Sequence, residues 1–326
     1  MKLSIYDEQM NRISYIGEKF VSCMWSEGYN TVQPFTLELV ATPDYKEKVK
    51  PDCYIGRMDR KTLMVIKTVQ VQNGHIIASG KQATRCLDDV AFFGTIPKGK
   101  KVAAAIKNAY DSSEKFSNLE CAASELGDTY GHQISNKSIL NLCLPMCQDA
   151  DMGFRVVRGG KQMLLEFYKP EQNPNNILSE RFGNLKLESL TLSTEKRKNH
   201  AIVLGEGEDE SRFRVDVDLS GGEQKRSVFV DARDLIRKEE ESDDAYAARL
   251  AARGYEKLLT MQGTWSAALK PLAEEFGERY DLGDVLPVNL PDYGLKMQTR
   301  LSRFTQTSQR NQTTTTVEVG TITITR

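Results

Sequence analysis

The sequence predicts an α+β protein that is mostly β: two small antiparallel β-barrel-like domains, a mixed α/β insert between them, and a helical insertion in the second barrel. Three observations lead there. Short runs alternating apolar and polar side chains fill the first ninety residues and return after Gly183. Turn residues, above all Asn73-Gly74, separate those runs at close spacing. Stretches with helical spacing interrupt the pattern twice, after Pro97 and after Ser242.

Residues 1–96 read as the first barrel-like domain. "KLSIYD" and "NRISYIG" flank the polar turn "EQMN", and "TVQPFTLELVAT" places Phe35, Leu37 and Leu39 on one face. Asp59-Arg60 suits a short hairpin, and Asn73-Gly74 a second one. Residues 97–178 read as the mixed insert. Val102, Ile106 and Ala109 recur at helical spacing there. A second helix carries Ile139, Leu142 and Cys143, with Ser135 or Asn136 as its cap and Pro145 weakening its second half. "GFRVVRGGKQMLLEFY" then forms a hairpin around Gly159-Gly160.

Residues 179–240 and 277–326 read as the second barrel-like domain, split by the helical insertion 241–276. Phe213, Val215, Val217 and Leu219 alternate in its middle strand. The inserted helix starts at Ser242 as cap, with Asp243 and Asp244 at the positive end of its dipole. Ala247, Ala251, Tyr255 and Leu258 are its expected apolar face. The last strand, "TTTTVEVGTITIT", is β-branched throughout, with Gly320 as a bulge.

Composition excludes several function classes. The 326 residues are 40% hydrophobic and 27% charged, as in ordinary globular proteins. A formal net charge of −1 gives no electrostatic footprint for bulk nucleic-acid binding, so no specific nucleic-acid partner is expected. No apolar run is long enough to span a membrane, and the first twenty residues lack the apolar stretch of a signal peptide. Synthesis in a cytoplasm, without a membrane anchor, is the expectation. Cys23, Cys53, Cys86, Cys121, Cys143 and Cys147 are scattered, which suits buried free thiols better than a zinc site.

No catalytic, cofactor or metal residue stands out. The three histidines, His75, His132 and His200, lie in no nucleophile or metal motif. "GEGEDE", Glu206 to Glu210 with its leading glycine, lacks the alternate-position ligands of a calcium loop and reads as a solvated turn. "LSGGEQKR" superficially resembles a nucleotide-binding phrase, but no Walker A sequence accompanies it, and it reads as a hairpin loop. "EKRKN", from Glu195, reads as a solvated hairpin tip. Paired carboxylates for glycoside cleavage would depend on a spatial separation that sequence does not carry. Trp25 and Trp265, far apart in the chain, suit core or interface positions. "YDLGDVLPV" places Gly283 where a turn needs conformational freedom and Asp284 where it needs a cap.

Several phrases occur in a telling order: "IYDEQMNRISYI", "PFTLELVATPDYKEKVKPDCYIGRMDRKTLMVIKTVQVQ", "GFRVV", "VLGEGEDESR", "VFVDARDL", "YAARLAARGYEKL" and "YDLGDVLPV". The series resembles the tail-hub proteins of long-tailed bacteriophages, including the Gp37-like siphovirus tail family, over nearly the whole chain. That resemblance implies a virion structural protein, part of a baseplate or tail tip, and no catalytic residues or cofactors. It implies a homotrimeric ring in which two similar barrels per subunit let a threefold hub meet a sixfold tail tube. The implied partners are tail tube or distal tail proteins on one side and a central spike or fibre protein on the other. Rival expectations are a tail-associated cell-wall hydrolase and a receptor-binding module for surface glycans. In the resembling family the unpaired β-branched edges would be covered by assembly.

Overall fold

Apolar strands from both ends of the chain meet in one sheet. The computed structural model describes residues 1–131, 133–173, 175–261, 264–273, 276–310 and 312–324; the side chains of residue 192 and of stretches 264–268 and 321–324 lie outside that description. Two compact units emerge: Met1–Leu187 with Leu269–Arg326, and Glu188–Ala268.

In the first unit, β1 (Leu3–Tyr6), β2 (Arg12–Gly17), β3 (Ser22–Gly28) and β4 (Pro34–Val40) are followed by a short helix, α1 (Pro43–Lys48). Then come β5 (Tyr54–Arg57), β6 (Leu63–Gln72) and β7 (His75–Gln82), the last two joined by Asn73 and Gly74, both at positive φ. The expected hairpins at "EQMN", Asp59-Arg60 and Asn73-Gly74 all form. β8 (Ala91–Ile96) precedes α2 (Val102–Asp111), and β9 (Leu119–Cys121) and β10 (Ile134–Ser138) precede α3 (Ile139–Asp149). α3 is capped by Ser138, whose Oγ accepts from the Asn141 N–H, rather than by Ser135 or Asn136; Asn136 instead sits at φ 49° within β10. Ile139, Leu142 and Cys143 are buried as the helical spacing predicts. β11 (Gly153–Arg158) and β12 (Met163–Tyr168) form the Gly-Gly hairpin, closed by the Gly159 N–H donating to Gln162 O at 2.8 Å. These helices and the β9–β12–β11 sheet share one core with Ile106, Tyr110, Leu142, Met146 and Leu165 at its centre.

The chain leaves this unit along β13 (Leu185–Ser193). The second unit holds β14 (His200–Leu204), β15 (Arg214–Asp218), β16 (Ser227–Asp231) and α4 (Asp243–Thr260). β17 (Thr264–Pro271) pairs with β13 and carries the chain back to β18 (Val285–Leu290), β19 (Leu295–Gln309) and β20 (Gln312–Ile324).

The large sheet has ten strands in the order β18-β19-β3-β4-β7-β6-β5-β1-β2, with β20 on the other edge of β19. Among the described residues no sheet closes into a barrel, where the sequence predicts two. β19 pairs with β3 from Arg303↔Gly28 to Gln309↔Ser22, so residues 277–326 extend the sheet begun by residues 1–96. That pairing brings the Ser26 hydroxyl to the Phe304 carbonyl, 278 positions away, a register no local pattern can report. The sheet nevertheless curls. Arg57 on β5 lies 5.5 Å from the Trp25 ring centre on β3, although β4, β7 and β6 separate those strands.

In the second unit the sheet order is β15-β14-β16, with β15 antiparallel and β16 parallel to β14. "LSGGEQKR" is therefore no hairpin loop. β15 ends and β16 begins beside His200, so the loop only crosses the end of β14. α4 covers one sheet face, capped by Ser242 as expected, its Oγ accepting from the Ala245 N–H at 3.2 Å. The buried stripe is Tyr246, Leu250, Gly254 and Leu258, one position off the predicted face; Ala247 and Ala251 are half-buried and Tyr255 is exposed. Gly254 explains the offset: a Cβ there would stand 2.6 Å from Val203 Cγ2 and 2.9 Å from Val217 Cγ2. The helix approaches the sheet through its glycine.

Gly254→Leu is expected to destabilise the second unit by about 1–3 kcal/mol through overpacking, although glycine itself costs about 1 kcal/mol within a helix. A lowered urea midpoint with an unchanged slope would show it.

Candidate functional site: surfaces for assembly

The residues that sequence singled out for chemistry are dispersed. His75 opens β7, where its Nδ1 lies 2.7 Å from Glu38 Oε1 on β4, a cross-strand contact. His132 lies outside the described residues, as does the Trp265 side chain. Trp25 is fully buried, edge-to-face with Phe35 at 5.9 Å. The acidic turn 205–210 and the remaining described residues contain no group of His, Cys, Asp or Glu able to hold a metal ion. "EKRKN" links β13 to β14, which do not pair, so it is not a hairpin tip; Arg197 there holds Glu223 of the "LSGGEQKR" loop at 2.9 Å.

One constellation escaped the sequence reading. His200, Asp216 and Ser227 come from β14, β15 and β16: Nδ1 is 2.9 Å from Ser227 Oγ, and Nε2 is 3.2 Å from Asp216 Oδ1. Their spacing along the chain matches no motif, because the strands that align them are ordered β15-β14-β16. Arg214 donates to both Asp216 oxygens at 2.8 and 2.9 Å and, with that hydrogen bonding foremost, holds the carboxyl below its usual range. The three groups are those of a Ser-His-Asp relay with the ring reversed, the serine lying on Nδ1 and the carboxylate on Nε2. They also sit side by side on adjacent strands, with His200 buried between its neighbours, the placement of a cross-strand polar ladder.

Deeper in the first unit, the curled sheet is tied by charge. Glu27 is 1% exposed; its Oε1 accepts from Trp25 Nε1 at 2.7 Å and its Oε2 from Arg60 Nη1 at 3.4 Å. The Arg60 guanidinium lies 4.3 Å from the Phe304 ring and 4.7 Å from that of Phe276, which stack on each other at 4.4 Å. This cluster joins β3, the β5–β6 loop, β19 and the segment before β18.

The turn into β18 has the roles its sequence suggests. Gly283 adopts φ +93°, and a Cβ there would meet the Tyr29 ring at 2.5 Å. Asp284 accepts from the Asp281 and Glu171 N–H groups, each at 2.8 Å, and burial raises its pKa. The outer edge of β18 is then occupied: Leu178 N–H donates to Pro287 O at 2.8 Å and Asn289 N–H to Leu178 O at 2.9 Å.

β20 is different. Among the described residues it pairs with β19 alone, and across thirteen residues its one charge is Glu318, which faces Arg303 at 3.4 Å. Its pairing with β19 is irregular near Gly320, as expected of a bulge. No proline or lysine blunts its other edge, which meets no further strand among the described residues. Arg60→Met is expected to lower stability by about 3 kcal/mol, because Glu27 then remains buried without its cation; urea denaturation followed by tryptophan fluorescence reads that loss.

All six cysteines are buried and free. Burial pushes the Cys23 and Cys121 thiols up to about 12, and Cys143 well above its usual value. The native chain is therefore expected to resist iodoacetamide at mildly alkaline pH, and all six sites to alkylate once it is denatured. Intact-mass spectrometry counts the adducts.

Solved structures share this fold. The prophage tail protein gp18 of Listeria monocytogenes EGD-e superposes with a TM-score of 0.58 at 11% identity, covering 98% of this chain and 95% of that one. A tail protein of Neisseria meningitidis MC58 gives 0.55 at 11%, covering 98% and 95%. The 43 kDa tail protein of prophage MuSo2 from Shewanella oneidensis gives 0.55 at 11%, covering 98% of each. Comparison with curated proteins gives no match. The model of the Siphovirus ReqiPepy6 Gp37-like proteins matches residues 2–321, in agreement with the ordered phrases of the sequence, and the chain belongs to that siphovirus tail protein family.

Proposed function

We propose that the chain is a structural hub of a phage tail or phage-tail-like particle: a homotrimeric ring that adapts the sixfold tail tube, or distal tail proteins, to a threefold central spike or fibre. One observation carries the reading beyond family membership. β20 is a thirteen-residue, nearly uncharged edge strand that, apart from its irregular pairing near Gly320, carries no proline or lysine to block pairing, a feature that suits a subunit buried in an assembly and is a liability in a free monomer. Exposed aromatic side chains point the same way: Phe93 on β8 is 93% exposed and Phe229 on β16 is 71% exposed. The hub bears load and closes a channel; it carries out no catalysis, and the His200–Ser227–Asp216 ladder serves sheet cohesion.

Light scattering on the purified chain is expected to give three times the protomer mass, and negative-stain images to show threefold rings. A monomer at every concentration would refute the ring. A fluorophosphonate probe is expected to leave the protein unlabelled. Labelling at Ser227 that disappears in His200→Ala would instead establish a hydrolase.

A further inference from the structure

Charge is segregated between the two units. Glu188–Ala268 contains 17 Asp and Glu against 13 Lys and Arg, a net −4, which leaves 28 against 31, a net +3, for the rest of the chain. Each surplus is concentrated beside an apolar feature that lacks a partner.

On the first unit, a cavity of about 480 Å³ opens between β8 and α2. Phe92, Ile96 and Pro97 line one side, and the small side chains of Ala104, Ala105 and Ala109 line the helix side. Lys100 and Lys101 form its rim with Lys98 in the same exposed loop; Glu125 stands on the wall. None of the three lysines forms an ion pair with a described residue. The site is thus an apolar slot under an uncompensated positive rim.

On the second unit, two loops lie together at one end of the sheet. The β14–β15 loop carries Glu206, Glu208, Asp209 and Glu210, and the β16–α4 loop carries Ile236, Glu239 and Glu240. They touch where the Arg237 N–H donates to Glu206 Oε2 at 3.4 Å. Arg237 itself is neutralised by Asp243 and packs over Phe213 and Tyr246. Glu208, Asp209, Glu210, Glu239 and Glu240 have no ion-pair partner among the described residues, against one such lysine, Lys238. Among these carboxylates Ile236 stands 66% exposed.

We propose that this acidic end of one copy docks into the lysine-rimmed cavity of the next, with Ile236 entering the apolar slot and the carboxylates meeting Lys98, Lys100 and Lys101. The occupant is a second copy of this chain, because it presents the opposite charge together with an apolar anchor of a size the slot accepts. The two surfaces differ, so the contact is heterologous and repeats head to tail, the symmetry a closed ring requires. This inference deepens the ring reading and rests on it. Long-range attraction between the two surplus charges steers the encounter, and burial of the anchor holds it.

The test uses the full chain. Equal amounts of isotopically light and heavy protein are mixed and coupled with a zero-length carbodiimide, and the linked peptides are identified by mass spectrometry. Mixed-isotope links from Lys98, Lys100 or Lys101 to Glu239, Glu240 or residues 208–210 are expected. Ile236→Asp is expected to weaken association on the order of tenfold. Reversing the three lysines to glutamate is expected to abolish association by light scattering, and adding lysine at Glu208, Asp209, Glu210, Glu239 and Glu240 in the same chain to restore it. Copies that associate but link through other residues overturn this surface and leave the ring intact. Links found only within one isotope, or a chain that stays monomeric at low salt, overturn both.

Discussion

A buried carboxylate sets the shape of the larger unit. Removing Glu27 from water costs several kcal/mol unless opposite charge and hydrogen bonds reach it. The indole of Trp25, two residues back on the same face of β3, supplies one bond, and Arg60 supplies the charge. Arg60 reaches Glu27 only if the β5–β6 loop folds back over β3, so neutralising the carboxylate and curling the sheet are one requirement. Phe304 and Phe276 then hold the guanidinium against their faces, which fixes β19 and the segment before β18 to the same centre. An apolar core would leave the curl free to vary; a charge that must be met at one place does not.

The second unit is organised by sterics instead. Gly254 removes a side chain where Val203 and Val217 need the space, and two turns earlier Tyr246 packs against Gly205, its hydroxyl donating to Leu235 O at 2.8 Å and accepting from the Glu206 N–H at 2.9 Å. Both loops at the acidic end of the sheet are thereby tied to one buried phenol. The loops keep their form while their carboxylates stay in solvent, so they can present charge without ordering anew.

Local signals were legible and distant ones were not. Asn73-Gly74, the Ser242 cap and the Gly283–Asp284 turn act over a few residues, and each performs the role its chemistry dictates. The β3 strand went unmarked because its inward residues alternate Cys23, Trp25 and Glu27, and a carboxylate interrupts the apolar pattern. The face of α4 was displaced by one position because a glycine reads as a helix weakness, not as a contact. The expected second barrel was divided, its residues 277–326 joining the sheet of residues 1–96, because the pairing of β3 with β19 is written in no neighbouring residue. Of the surfaces, the β-branched edge was visible as composition. The Ser227–His200–Asp216 ladder was not, since it exists only once β16 has crossed to the far side of β14.

The β3–β19 pairing also governs how the protein comes into being. Strands β1 to β7 emerge early in synthesis, yet the place beside β3 stays empty until nearly the whole chain has been made. The contiguous stretch Glu188–Ala268 holds a hydrophobic core of its own and needs no residue after Ala268 to close it. Once that core has closed, the β13–β17 ribbon brings the two flanking arms side by side, and the loop that must still be closed is effectively shortened by that stretch. The inserted unit thus acts as a clasp for its host, and the half-built sheet depends on it to shorten the period in which its bare strands can meet a wrong neighbour.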